Sequence, residues 1–240
     1  MQDRYHKQII IPEIGPGGQE RLSGSSAVVV GAGGLGSPVL YYLAAAGVGR
    51  ISIVDPDQVA ITNLNRQFLH FEEDIGRSKV QSAAEKLSRF NSGTVFHTIG
   101  ASVDHENAES LIAGHDIVLS CVDNYETRIL LNRACIRGGI PLVDGGVNSF
   151  SGYALTVLPG SPCYECIFPG KPAIRSESGV LGATAGVVGS FMAAQAVKYL
   201  AGIREGSGFL LIDLLTLSFQ AIRTNIRADC PSCHSFSDPA

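Results

Sequence analysis

A glycine-rich hexapeptide near the amino terminus has the residues and spacing of a phosphate-binding turn. Residues 31–36 read Gly-Ala-Gly-Gly-Leu-Gly, follow the apolar run at 27–30 and precede a helical pattern. Glycines permit a tight turn and close backbone approach, and the first N–H groups of the following helix attract phosphate. Asp55 ends the next apolar run, where a carboxylate can hold ribose hydroxyls. We expect a nucleotide site with Gly33, Gly34 and Asp55; a turn used only for packing is the alternative.

Two cations downstream of this turn indicate that the nucleotide is a triphosphate. Residues 63–67 read Asn-Leu-Asn-Arg-Gln, which places Arg66 in this run, and Lys79 follows. A nucleoside triphosphate that is attacked at phosphorus needs cations to hold its oxygens, whereas a dinucleotide-dependent dehydrogenase has no need of two at this place. Arg66 and Lys79 therefore favour ATP. An NAD-dependent oxidoreductase is the alternative that the glycine turn alone would support.

A carboxylate follows the apolar run at 117–122. Asp123 and Asn124 stand at the carboxyl end of this predicted strand, where ligands bind in open parallel sheets. Both are candidates for the nucleotide site, and Asp123 is the candidate to hold Mg²⁺, which prefers oxygen ligands. The alternative is that the pair only caps the next helix, because Asp and Asn are preferred N-cap residues.

Four of the six cysteines form two C-x-x-C pairs, Cys163 with Cys166 and Cys230 with Cys233. Four thiolates within tetrahedral reach suit a structural Zn²⁺, which would hold the carboxyl-terminal segment against the rest of the chain. Two disulfides are the alternative, which a reducing compartment disfavours. His234, next to Cys233, is either a substitute ligand or a bystander. The remaining cysteines, both expected in the core, are Cys121 and Cys135.

Alternating apolar runs and helical patterns place these residues in an α/β fold. They predict a Rossmann-like, mostly parallel sheet covered on both faces. After residue 143 the pattern changes to antiparallel strands around a glycine-rich helix, so the sheet becomes mixed. The predicted parallel strands are 27–30, 51–54, 95–99, 117–121 and 141–143, the helices are 36–46, 78–90 and 125–137, and the later strands are 152–158, 209–214 and 216–223.

No internal repeat and no linker divides the chain, so one domain is expected over residues 1–240. It would consist of an N-terminal helix over about 1–24, a nucleotide-binding part over about 25–145 and a C-terminal part with the cysteine pairs over about 146–240.

Composition argues against several classes of protein. Lys and Arg number 18 and Asp and Glu 22, and this net charge of −4 disfavours a general nucleic-acid binder. Glycine is in excess, with 28 of 240 residues, about 12% against a usual share near 7%, but without a collagen period. Residues 179–197 carry no charge, yet their many small residues predict a buried helix rather than a membrane span. The apolar residues 9–11 are too few for a secretory signal, so a cytoplasmic protein is expected.

Together these motifs are similar to those of the ThiF/MoeB/HesA family, the prokaryotic relatives of ubiquitin-activating enzymes. The resemblance runs from Arg4 to Cys233, and the order and spacing of the motifs are more specific than any one of them. The motifs are Arg-Tyr-His-Lys-Gln-Ile at 4–9, the glycine turn at 31–36, Asp55, residues 63–67, Lys79, Asp123-Asn124 and the two cysteine pairs.

The resemblance implies an activity, cofactors and partners. The family uses ATP and Mg²⁺ to adenylate the C-terminal glycine carboxylate of a ubiquitin-fold sulfur carrier with a Gly-Gly end, of the MoaD or ThiS type. It also implies a homodimer and structural zinc on the four paired cysteines. From composition and the small residues at 179–197, no nucleic-acid or membrane partner is expected. The residues that the resemblance assigns to the nucleotide are Gly34, Asp55, Asn63, Arg66, Lys79 and Asp123.

Two departures from the family pattern affect the expected mechanism. The cationic finger that reaches the partner subunit's site is usually an arginine, and here Lys7 occupies its place, with Arg4 as a substitute. Lysine keeps the charge but loses the bidentate fork, which predicts a weaker finger. Many members also carry a cysteine in the loop at 168–182 that can form a thioester, but Arg175 stands there. We therefore expect the reaction to stop at the acyl-adenylate.

Other functions are compatible with the same motifs. Related activators adenylate peptide-antibiotic precursors or modified tRNA bases, although the acidic balance disfavours tRNA. A non-catalytic module that binds the tails of ubiquitin-fold proteins is a further alternative. The pathway that the carrier would serve is open at this point.

Overall fold

A computed structural model describes residues 2–170, 179–204 and 208–233, and the statements below concern these residues. Eight strands form one sheet within them. The strands are β1 (Ser26–Val30), β2 (Arg50–Val54), β3 (Val95–Ile99), β4 (Ile117–Ser120), β5 (Leu142–Asn148), β6 (Ser151–Val157), β7 (Gly208–Asp213) and β8 (Ser218–Ile222). Their spatial order is β3-β2-β1-β4-β5-β6-β7-β8. The strands from β3 to β5 in this order are parallel and those from β5 to β8 antiparallel, which confirms the predicted mixed sheet.

Helices cover both faces of the parallel part. They are α1 (His6–Ile9), α2 (Gly15–Gly24), α3 (Gly36–Ala46), α4 (Lys79–Phe90), α5 (Ala108–Ile112), α6 (Tyr125–Gly138), α7 (Tyr164–Ile167) and α8 (Gly182–Leu200). Short 3₁₀ turns occupy Gln2–Tyr5, Ile61–Asn63 and Glu72–Asp74.

The strand residues alternate between two apolar cores, one on each face of the sheet. In β1, Ala27 and Val29 belong to one core, and Val28 and Val30 belong to the other. The first core is completed by side chains of α3, α4 and α8, and the second by side chains of α5, α6 and α7. Every residue of β1 is buried, as expected for a parallel strand between two helical layers.

The N-terminal segment differs from the single helix expected over about 1–24. A 3₁₀ turn, α1 and α2 follow one another with a turn between the two α-helices. Pro12 has no N–H to donate within a helix, and Gly15 adopts a φ of 58°, so the helix stops before these residues. Pro16 lies in the first turn of α2, where a missing N–H costs nothing.

The uncharged stretch at 179–197 forms most of α8, which packs closely on α3. A Cβ atom at Gly189 would lie 2.4 Å from Cγ of Pro38 and 2.7 Å from the carbonyl oxygen of Leu35. The predicted use of small residues for close packing is therefore confirmed at this position. In the part of the chain that the structure describes, no helix is long and apolar enough to cross a membrane.

The strand β5 is longer than the predicted 141–143. Gly145 and Gly146 interrupt the apolar run, yet both pair with β6. A Cβ atom at Gly145 would lie 2.3 Å from Sδ of Met192, so glycine is needed where α8 crosses the strand. The helix α5 was not predicted, because five residues are too few to show a helical period.

Candidate functional site

The carboxyl ends of β1, β2, β4 and β5 surround a cavity of about 1250 Å³. Pockets for small ligands commonly measure about 300–1,000 Å³, so this cavity has room for a nucleotide and part of a second substrate. Among the described residues, Asn63 and Lys7 were predicted for the site but do not line the cavity. The predicted residues that do line it are Gly33, Gly34, Asp55, Arg66, Lys79, Asp123 and Asn124.

The glycine turn connects β1 to α3 at the floor of this cavity. Gly31 has a φ of 98°, and a Cβ atom at Gly36 would lie 2.0 Å from the carbonyl oxygen of Gly31. Side chains at these two positions would open the turn. Gly33 and Gly34, between them, line the cavity, so their backbone is available to a ligand.

Asp55 is buried at the end of β2 and holds the turn in place. One carboxylate oxygen accepts a hydrogen bond from the N–H of Ala32 at 2.7 Å, and the other accepts from the N–H of Asp57 at 2.9 Å. Each carboxylate oxygen has a second acceptor direction. Asp55 therefore keeps capacity for ribose hydroxyls while it fixes the turn.

Lys79 begins α4 and is nearly buried. Its Nζ donates to Oδ2 of Asp57 at 2.8 Å, and its backbone N–H donates to the carbonyl oxygen of Asp57 at 3.0 Å. The Asp57 side chain is 63% exposed, whereas that of Lys79 is 7% exposed. The ammonium group is thus held at the cavity wall by a carboxylate that water can reach.

Asn63 and Arg66 lie on one turn beside the cavity. The Oδ1 of Asn63 accepts from the N–H of Ala60 at 3.0 Å, and its carbonyl oxygen accepts from the N–H of Arg66 at 3.1 Å. Asn63 therefore shapes the turn that carries Arg66, and its direct contact with nucleotide stays a prediction. The Arg66 guanidinium donates to the carbonyl oxygen of Thr62 and to Oδ1 of Asn65, both at 2.9 Å.

Two neighbouring amides also line the cavity and were missed as site residues. They are Asn65 and Gln67. Gln67 is 5% exposed, and its Oε1 is buried without a hydrogen-bond partner in the described structure. A buried polar atom without a partner is costly, so a ligand in the cavity is its natural partner. The polar run Asn-Leu-Asn-Arg-Gln was the signal that could have singled them out.

Asp123 and Asn124 serve different purposes. The Oδ1 of Asn124 accepts from the N–H of Thr127 at 2.8 Å, so Asn124 is the N-cap of α6. Asp123 is exposed to the cavity. Carboxylate oxygens are donors that Mg²⁺ prefers, so Asp123 is the residue here that would hold such an ion.

A buried charge cluster that the sequence did not reveal lies behind Asp123. Arg128 donates to both carboxylate oxygens of Asp144 at 2.7 and 2.6 Å, and the hydroxyl of Tyr153 donates to the same carboxylate at 2.7 Å. Arg128 also donates to the carbonyl oxygen of Val122. The cluster therefore ties the residue before Asp123 to β5 and β6. These residues become neighbours only after the strands pair.

The four paired cysteines meet, and no disulfide joins them. The Sγ atoms of Cys163 and Cys230 are 3.5 Å apart, those of Cys166 and Cys233 are 3.6 Å apart, and all four lie within 4.8 Å of one another. A tetrahedral zinc ion with Zn–S bonds of about 2.3 Å needs sulfur atoms about 3.8 Å apart. The cluster fits such an ion. His234 lies outside the described residues.

Helix α6 holds both cysteine pairs. Asn132 accepts from the N–H of Tyr164 at 3.0 Å and donates to the hydroxyl of Ser232 at 3.4 Å. Arg133 donates to both carboxylate oxygens of Glu165, at 3.1 and 2.8 Å, and Ser232 donates to the same carboxylate. The two cysteine turns are therefore positioned by one helix, independently of the metal.

The two candidates for the cationic finger differ in their surroundings. The guanidinium carbon of Arg4 lies 5.9 Å from the centre of the Phe90 ring, within the range of a cation–π contact. Lys7 is exposed on α1. Arg175 and most of the loop expected at 168–182 lie outside the described residues, although Val180, at its end, lines the cavity.

Comparisons with known proteins agree with this geometry. The ThiF family profile matches residues 5–233. The chain is 42% identical to the SAMP-activating enzyme E1 of Haloferax volcanii, over 96% of this chain and 88% of that protein. It is 43% identical to the sulfur carrier protein adenylyltransferase of Thermus thermophilus, over 96% and 90% of the two chains. Its fold is similar to that of E. coli MccB, with a TM-score of 0.87 and 22% identity over 97% of this chain and 72% of that one. The chain belongs to the ThiF family.

Proposed function

We propose that this protein uses ATP to adenylate the C-terminal glycine of a ubiquitin-fold sulfur-carrier protein. The observation that carries the proposal is the cavity in which the glycine turn, Arg66, Lys79 and Asp123 meet. The Thermus thermophilus relative, 43% identical, is named a sulfur carrier protein adenylyltransferase. Such a carrier would provide the sulfur that is incorporated into a cofactor or a related product.

The reaction needs positioning and charge neutralisation more than proton transfer. A carboxylate oxygen of the carrier attacks the α-phosphorus of ATP, a new P–O bond forms, and the bond to the bridging oxygen breaks with its electron pair on pyrophosphate. A carboxylate is already ionised at neutral pH, so no general base is required. Arg66 and Lys79 hold phosphate oxygens, and Asp123 would hold a Mg²⁺ ion, which would supply neutralisation of the phosphate charge.

The carrier tail occupies the part of the cavity lined by β5 and β6. The residues that line this side are Gly146, Asn148, Ser151 and Gly152. Small and polar residues suit an extended tail that ends in Gly-Gly, because such a tail has little volume and many backbone hydrogen-bonding groups. A larger side chain near the carrier's end would not fit as well.

The enzyme does not form a thioester with the carrier. The sequence has no cysteine between Cys166 and Cys230. Among the described residues, Cys121 is the cysteine that lines the cavity, and burial together with the charge of Asp144 raises the pKa of its thiol. A protonated thiol is a poor nucleophile, so a separate protein must deliver sulfur to the adenylate.

The protein acts as a homodimer in which Lys7 of each chain reaches the partner's cavity. Lys7 is exposed and does not line the cavity of its own chain, while Arg4 packs on Phe90. This arrangement favours Lys7 over Arg4 as the finger.

Exchange of labelled pyrophosphate into ATP tests the proposal. Wild-type protein with Mg²⁺ should catalyse exchange that depends on one Gly-Gly-ending carrier. Lys79→Ala should reduce it at least a hundredfold, because a buried charge pair to phosphate is lost, and Lys7→Ala should reduce it about tenfold. Lys198→Ala, on α8, is the matched control and should exchange at the wild-type rate.

The same assay separates the alternatives. If the protein binds ATP but catalyses no pyrophosphate exchange with any carrier, the result would support the non-catalytic binding module. Binding of NAD in preference to ATP would support the oxidoreductase. If Lys7→Ala catalyses exchange at the wild-type rate, Lys7 is not the cationic finger.

A further inference from the structure

His70 does not line the cavity, but it is bonded to the glycine turn. The side chain is buried, with 3% exposure. Its Nε2 lies 2.9 Å from the carbonyl oxygen of Ala32, and its Nδ1 lies 2.9 Å from the hydroxyl of Ser82. A carbonyl oxygen only accepts, so Nε2 must carry the ring proton, and the neutral Nδ1 accepts from Ser82.

A chain of buried groups is compatible with this tautomer. The ammonium of Lys86 donates to the Ser82 hydroxyl oxygen at 2.8 Å and also pairs with Asp74, whose side chain is fully buried. An ammonium has only protons to give, so the Ser82 hydroxyl oxygen accepts from Lys86, and its own proton is left for one of two acceptors, Nδ1 of His70 or the Asp74 carboxylate. Because Nε2 donates to Ala32, the neutral ring accepts at Nδ1. The series of contacts from Asp74 through Lys86 and Ser82 to His70 therefore ends at Nε2 of His70, which donates to the carbonyl oxygen of Ala32.

The peptide group that His70 holds also carries the N–H of Gly33, a residue that lines the cavity. The carbonyl of Ala32 and the N–H of Gly33 belong to one trans peptide, in which they point in opposite directions. Asp55 holds the other side of Ala32 by accepting its N–H at 2.7 Å. Gly33 lines the cavity, whereas Ala32 is buried behind it.

We propose that His70 is a positioning residue that aims the N–H of Gly33 at the phosphates of the bound nucleotide. The proposal rests on the proposed function, because it requires nucleotide in this cavity. Without His70, the Ala32–Gly33 peptide loses the hydrogen bond that fixes its carbonyl, so the direction of the Gly33 N–H is less well defined before the ligand binds.

A second histidine provides a matched control. His115 is half-buried, and its ring nitrogens also contact a serine hydroxyl, that of Ser52 at 2.8 Å, and a backbone carbonyl, that of Ile112 at 3.2 Å. It precedes β4, at the end of the sheet away from the cavity. Replacing it removes the same kinds of bond without touching the glycine turn.

The test measures the dissociation constant of ATP by calorimetry and, separately, KM for ATP and kcat in pyrophosphate exchange. His70→Leu should weaken ATP binding and raise KM about tenfold, the size expected for one charge-assisted hydrogen bond. His70→Gln, whose amide can place a donor near the Nε2 position, should stay within about threefold of wild type. His115→Leu should bind ATP as wild type does.

Several results would overturn the role of His70. They are wild-type affinity in His70→Leu, equal weakening in the Leu and Gln variants, or equal weakening in His115→Leu, which would indicate general destabilisation. If His70→Leu does not fold, Ser82→Ala replaces it and should weaken ATP binding about threefold; unchanged affinity would refute the proposal. Failure of wild-type protein to bind ATP would instead overturn the proposed function itself.

Discussion

Lys79 and Asp57 form an ion pair in which a phosphate oxygen could take the place of the Asp57 carboxylate. The buried ammonium needs a negative partner at all times, but the exposed carboxylate does not need the ammonium, because water can solvate it. A phosphate oxygen that takes the place of Asp57 keeps the Lys79 charge compensated. Under the proposed function, the nucleotide would therefore replace an existing contact without leaving a buried charge unpaired.

The two bonded histidines predict a pH dependence of stability. Burial lowers the pKa of His70, and the charges of Lys86 and Lys79 lower it further, while the hydrogen bond to the Ala32 carbonyl and the charge of Asp74 partly oppose these effects. Burial also lowers the pKa of His115. Below pH about 6.5 the unfolded chain takes up protons that the folded chain does not, so the free energy of unfolding falls with falling pH. Each histidine contributes at most about 1.4 kcal/mol per pH unit to this slope.

Urea denaturation at several pH values between about 5 and 8 measures this effect. His70→Gln should reduce the pH dependence in this range, because the titrating group is gone. His115→Gln is the second variant and should also reduce the pH dependence, since burial lowers the pKa of His115 as well. An equal slope in His70→Gln and wild type would contradict the assigned neutral state of His70.

At the same scale, the sequence identified residues whose chemistry is visible in a local motif. The glycine turn, Arg66, Lys79 and Asp123 were predicted and line the cavity. His70 and Arg128 were not found, because their partners Ala32 and Asp144 come close only when distant segments pack. A buried network has no local spacing that a sequence pattern could show.

Among the elements, α6 connects the two functional ends of the molecule. Its N-terminus carries Asp123 and the Asn124 cap, and its middle carries Asn132 and Arg133, which hold the cysteine turns. The cysteine pairs thereby attach the segment after β8 to the same helix that positions the proposed Mg²⁺ ligand.

Metal content tests the role of the cysteine cluster. Wild-type protein should contain about one zinc per chain, and Cys166→Ala should contain almost none, because three thiolates hold zinc far less tightly than four. Cys135→Ala is the matched control, since Cys135 is buried in α6 and is not one of the four clustered cysteines, so it should leave the zinc content unchanged. Zinc bound equally by Cys166→Ala, or absent from wild type, would contradict the assignment.

Elements with a long regular pattern were predicted well, and those shaped by tertiary contacts were not. The helices α3, α4 and α6 and the strands β1 to β4 lie within one residue of their predicted bounds. β5 extends through two glycines because α8 crosses it there, which no local propensity indicates. The N-terminal helix is divided because Pro12 and Gly15 outweigh the helical pattern around them.

At the scale of the whole molecule, the two halves of the mixed sheet supply different parts of the proposed site. The parallel half supplies the glycine turn and the cationic residues, and the antiparallel half supplies the wall proposed for the carrier tail. The sheet is continuous across this boundary, so under the proposed function one sheet would hold both the α-phosphorus and the tail carboxylate. That arrangement suits a reaction whose catalysis is mainly alignment.

The mass of the carrier after reaction tests the central claim most directly. Each Gly-Gly-ending ubiquitin-fold protein of the source organism is incubated with this protein, ATP and Mg²⁺, and its intact mass is measured. We predict that one carrier gains a single AMP group at its C-terminal glycine, that removal of this glycine abolishes the gain, and that no thiol-sensitive enzyme–carrier adduct forms. ATP binding with no AMP on any carrier, or a covalent adduct released by a thiol reductant, would contradict the account.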